Sequence, residues 1–88
     1  MTASLDTALA HLARGEWQPA HAIVQADESP LGCWAHGIVH VLEGDLDNAR
    51  YWYGRAQRPW PRDYAVDAEV AALKAAHEAR GRARGDTP

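Results

Sequence analysis

Apolar residues recur along most of the chain at helical spacing. Leu5, Leu9 and Leu12 stand at i, i+4 and i+7 and predict a helix from about Ser4 to Arg14. Ser4 is placed to cap its start and Gly15 to end it. A second helix is expected from Pro19, a favoured first helical residue, to about Ala26, with Ala20, Ile23 and Val24 inward. Asp27-Glu28-Ser29-Pro30 breaks the pattern. It resumes from about Leu31 to Glu43 and stops at Gly44. Ala49, Trp52, Tyr53 and Ala56 share one face of a fourth helix, expected from about Asn48 to Gln57 with Asp45 or Asp47 as its cap. Arg58-Pro59-Trp60-Pro61 cannot be helical throughout, because each proline pushes its predecessor out of the α region. Val66, Val70, Leu73 and His77 then predict a last helix from Tyr64 to about Arg80, capped by Asp63. Acidic Asp67 and Glu69 near its start and basic groups near its end suit the helix dipole. Period-two runs and hairpin signals are absent, so strands are not expected.

The chain also repeats itself. Residues 8–24 align without a gap onto residues 37–53, an offset of 29 residues that carries His11 onto His40, Gly15 onto Gly44 and Ala20 onto Ala49. A period of this size marks stacked helical pairs. The prediction is an all-α fold of two antiparallel helix–turn–helix units plus a C-terminal capping helix. It forms a single domain over residues 1–80, followed by a flexible tail at 81–88. A solenoid usually needs about three repeats, so the last helix should act as the cap, and a homo-oligomer is a further way to complete so short a stack.

Gly37, Gly44-Asp45-Leu46, Ala49, Tyr53, Ala56 and Pro61 make the second unit resemble a tetratricopeptide repeat, and residues 48–56 look like the second helix of the related Sel1-like form. The first unit is similar through Ala8, Gly15, Trp17, Ala20 and Val24, with Asp27 where a small residue is usual. The resemblance covers about residues 4–61. It implies an antiparallel helical stack and, by analogy, a protein-binding role whose concave surface is lined by the first and third helices. The chain also resembles a group of small, uncharacterised bacterial proteins, a likeness that implies no particular activity. One departure stands out. His36 and His40 occupy positions where the repeat places large apolar residues, and they flank Gly37, the expected point of close approach between the two helices of the unit.

At 88 residues the chain buries only about 60 to 65% of its unfolded surface. Four Trp and three Tyr, with no Phe, supply the large core groups. A net charge of −3 argues against nucleic acid as the partner. The basic cluster Arg80, Arg82 and Arg84 sits among glycines and reads as a frayed tail rather than an RNA-binding arm. Cys33 is the single cysteine, so no internal disulfide forms, as suits a reducing cytoplasm. No stretch approaches the roughly 20 apolar residues of a membrane span. The start, Met1-Thr2-Ala3-Ser4-Leu5-Asp6, lacks the basic residues of a signal peptide.

Candidate chemistry centres on the third helix. At about 100° per residue, Trp34, Ala35, Ile38, Val41 and Leu42 cover one side, and Cys33, His36, His40 and Glu43 cover the other. His36 and His40 are one turn apart, as two ligands of one metal ion would be, with Glu43 one turn further on. His11 is the counterpart of His40 in the first unit, and His21 in the second helix is able to approach the same seam.

Three readings follow. A divalent metal site would use His36, His40 and either Glu43 or Cys33, with Zn²⁺ the ion these donors suit best. An acid–base site would use the histidine pair with Glu43, although no nucleophile or oxyanion-binding loop accompanies it. A structural cluster would hydrogen-bond Tyr51, Tyr53, Asn48 or Asp45 across the seam. Gly37-Ile38-Val39 between the histidines carries no general base, so metalloprotease chemistry is not inferred. Tyr51 is the member of the Tyr51-Trp52-Tyr53 run expected at the surface. Trp60 is read as a plug between the repeat and the last helix, with an exposed partner anchor as the alternative. The reading carried forward is a small cytoplasmic, non-enzymatic protein-binding or adaptor module. Its candidate binding residues are His36, His40, Glu43, His11, His21 and Tyr53. A metal-binding protein or histidine-dependent enzyme using the same face is the alternative.

Overall fold

The computed structural model describes residues 4–63 and 65–85, with side chains as far as Gly81. The described chain is all-helical: α1 spans Leu5–Ala13, α2 Trp17–Val24, α3 Pro30–Glu43, α4 Leu46–Ala56 and α5 Val66–Gly85. Local chemistry sets most of these limits. Ser4 caps α1 by accepting from the Thr7 amide, Ser29 caps α3 by accepting from the Gly32 amide at 3.1 Å, and Asp45 caps α4 through the Asn48 amide. Gly44 ends α3 in the left-handed region at φ 90°, which costs a glycine nothing.

Several limits differ from those expected. α2 starts at Trp17, two residues before Pro19. The first-turn amides have no partner within the helix, so a proline loses nothing by sitting third. α4 starts at Leu46 because Asp45, not Asp47, is its cap. α5 starts at Val66, after a turn at Arg62-Asp63, and stays helical to Gly85, into the stretch expected as a tail. Tyr64 and residues 86–88 lie outside the described residues.

Helix α3 is the hub, and packs against α1, α2, α4 and α5. That central place buries every residue from Gly32 to His40, so α3 has no solvent-facing polar side along this stretch. Both sides are closed over: Trp34 and Ile38 share a core with Val70 and Leu73 of α5, and His36 and His40 lie against rings of α2 and α4. The α3–α4 contact depends on Gly37. A Cβ there would lie 2.5 Å from Cδ1 of the Tyr53 ring and 3.4 Å from the Ala49 carbonyl.

Helix α5 lies against α1 and α3. Its Val70 and Leu73 are buried in the same core as Leu9, Leu12, Trp34 and Ile38. Helix α5 thus covers the Leu9, Leu12, Trp34 and Ile38 side of α1 and α3, whereas the histidine side of α3 meets α2 and α4. Glu69 fixes that placement: it accepts from Trp34 Nε1 at 3.1 Å and from the Tyr53 hydroxyl at 2.7 Å. His77 adds a 3.0 Å contact to Asp6 of α1. Trp60 is half-buried, edge-on to Tyr53, with the Arg50 guanidinium 4.6 Å from its ring centre. No helix among the described residues is long and apolar enough to cross a membrane.

Candidate metal centre

Three imidazoles meet where α2, α3 and α4 come together. His36 and His40 lie one turn apart on α3, and His21 reaches them from α2. The ring centres are 4.9 Å apart for His21–His36, 5.4 Å for His21–His40 and 4.9 Å for His36–His40. One nitrogen from each ring lies within 4.8 Å of the others. His36 and His40 are only 4% and 6% exposed, and His21 is half-buried. The fourth helix contributes the wall: the Trp52 ring stacks on His36 at 3.9 Å between centres and 11° between planes. Arg55 and Tyr51 pack around the same indole.

The two buried histidines differ in their surroundings. His40 donates from Nδ1 to Glu43 Oε1 at 2.8 Å. A carboxylate held on one ring nitrogen is the arrangement that orients a metal-binding imidazole. His36 Nδ1 is buried and has no hydrogen-bond partner among the described residues. Removal from water, then the neighbouring His40 and His21, lower the His36 pKa to about 4. At neutral pH it is an uncharged nitrogen donor, the form a metal ion takes. Buried imidazoles usually find hydrogen-bond partners. Here Tyr51, Tyr53 and Asn48 do not hydrogen-bond the histidines, and ring stacking is what surrounds them.

The other candidate residues fall elsewhere. Cys33 is buried beside the α2–α3 connection, where its thiol donates to the Glu28 carbonyl at 3.7 Å, and burial raises its pKa. It does not join the three histidines. Glu43 and Asp45 lie close to His40 as a second group of donors, but Glu43 is exposed and engaged by His40, and Asp45 caps α4. His11 holds Glu16 through Nδ1 at 2.8 Å, away from the cluster. Tyr53 belongs to the core; burial and its bond to Glu69 push its phenol pKa above the ordinary range. Sequence spacing found His36 and His40 and put His21 within reach of the seam. It assigned Trp52 to the core without its stacking partner and gave Glu69 no role beyond the helix dipole.

No family model, curated protein or solved structure matches the chain.

Proposed function

We propose that the protein binds one divalent transition-metal ion, Zn²⁺ foremost, through His21, His36 and His40. The observation that carries this reading is the convergence of three imidazoles from two helices. Two of them are buried, and one has a buried nitrogen without a partner. Glu43 is the outer carboxylate that orients His40. Neutral imidazoles suit Zn²⁺, Cu²⁺ and Ni²⁺ rather than Mg²⁺ or Ca²⁺, which take oxygen donors. Tetrahedral coordination at about 2.0–2.1 Å sets ligand nitrogens about 3.4 Å apart. The present nitrogens lie within 4.8 Å of one another, so closure onto an ion takes side-chain shifts on the order of an ångström. The proposed role is binding rather than catalysis.

Thermal melts test the reading. Zn²⁺ raises the melting temperature of the native chain, and a chelator reverses the rise. His21→Ala, a change at a half-buried position, folds but loses the response. A melting temperature indifferent to Zn²⁺ and chelator would rule the reading out.

A second reading, protein binding, is favoured by the outer side of α4, where Tyr51 is 57% exposed and Leu46 36%. An exposed aromatic beside Arg50 and Arg55 is the composition of an interface anchor. Self-association through this side would appear as concentration-dependent sedimentation that Tyr51→Ser abolishes. Sedimentation as a monomer at every concentration removes the homo-oligomer.

A further inference from the structure

Helix α2 is the shortest of the five described helices and docks on α1 and α3. It has eight residues, and only Ala20 and Val24 are buried, against nine buried residues in α3. A helix this short does not persist on its own in water and depends on its docking. Its first turn lacks a side-chain cap, since the Glu16 carboxylate is held by His11 of α1 instead. Trp17 and Ile23 pack partly buried against the core beside Ala20 and Val24, and the His21 ring centre lies 4.9 Å from His36 and 5.4 Å from His40.

We infer that metal occupancy latches α2 onto α3, so that the docking of this helix reports the ion. The inference rests on the metal reading above and adds how the site is regulated. Two of the three ligands share α3, one turn apart, and stay together whenever α3 is formed. The third travels with α2. Opening of α2 alone therefore dismantles the site and leaves the α3–α4 pair and its Glu69 clamp in place. An ion that needs all three donors opposes this opening by mass action, and the open population falls in proportion to free ion above the dissociation constant. Its short length and single ligand make α2 the mobile half of the site, and the hub α3 the fixed half.

Amide hydrogen exchange on the full-length protein, with Zn²⁺ alone as the probe, tests the inference. In chelator, amides of residues 20–24 exchange at least about tenfold faster than those of residues 36–42, which marks an opening of α2 by itself. With free Zn²⁺ at 100 times its dissociation constant, exchange in α2 slows about 100-fold. In His21→Ala the α2 amides no longer respond to Zn²⁺. Stoichiometric Zn²⁺ binding with unchanged α2 exchange would overturn the latch and leave the metal site standing. Exchange in α2 as slow as in α3 without the ion would do the same. Absence of Zn²⁺ binding would overturn the metal reading and the latch with it.

Discussion

The His36 imidazole lies parallel to the Trp52 indole, 3.9 Å between ring centres and 11° between planes. The pairing joins α3 to α4 at His36, whose buried Nδ1 has no hydrogen-bond partner among the described residues. Stacking needs only a flat ring, whereas coordination needs the nitrogen. The two roles of His36 are therefore separable by mutation.

His36→Phe keeps a ring against Trp52 and removes the unpartnered nitrogen, whose burial costs about 1–3 kcal/mol. The larger ring offsets part of that gain through tighter packing. The variant is expected to stay within about 1 kcal/mol of the native stability in chelator and to lose the Zn²⁺ response completely. His36→Ala, which also loses the stacking surface, should be destabilised by about 2–4 kcal/mol. Urea denaturation in chelator compares the two.

The depressed His36 pKa makes stability depend on pH. The unfolded chain takes up this proton below the ordinary histidine value of 6.5, and the native chain only near 4. Above 6.5 both forms are neutral and His36 contributes no pH dependence. Between 6.5 and 4 the unfolded state binds more protons, so stability falls as pH falls, by up to about 3 kcal/mol from this group. Denaturation midpoints measured from pH 7.5 to 4.5 should show this slope in the native chain and a shallower one in His36→Phe.

Gly37 admits the Tyr53 ring, and a methyl group there would sit 2.5 Å from Cδ1 and 2.7 Å from Cε1. Alanine gains about 1 kcal/mol of helix propensity but forces α3 and α4 apart. Gly37→Ala should be destabilised by about 1–3 kcal/mol net, read as a lowered denaturation midpoint. Gly54 lies in the same helix pair with nothing within 4 Å of its missing Cβ. Gly54→Ala should be neutral or stabilising.

One carboxylate oxygen of Glu69 accepts from both Trp34 and Tyr53. Glu69→Leu leaves two donors without their acceptor and should cost about 2–5 kcal/mol, while Glu69→Gln retains an acceptor and should cost about 1 kcal/mol. Near-ultraviolet circular dichroism should report the loss of fixed Trp34 and Tyr53 environments in the leucine variant alone.

Much of the helical layout is legible in the sequence because spacing and caps agree. Leu5, Leu9 and Leu12 follow Ser4, and Gly44 closes a run that starts after Ser29. Helical periodicity says which residues share a face, but not how many neighbours a helix has. Spacing therefore leaves open whether the polar side of α3 faces a cleft or the interior, and α2 and α4 close over it. The same limit hides the path of α5: Val66, Val70 and Leu73 declare a stripe without an address, and its docking on α1 and α3 depends on Glu69 meeting Trp34 and Tyr53 from two other helices. In the site, His36 and His40 are visible by their spacing within one helix. The approach of His21 depends on how α2 sits against α3, which spacing does not fix.

The central claim is tested most directly by calorimetric titration of Zn²⁺ into chelator-stripped protein at neutral pH, native chain beside His21→Ala. The account predicts one ion bound per chain and an affinity at least about tenfold weaker without His21. No heat beyond dilution, or a His21→Ala variant that binds as the native chain does, would contradict it.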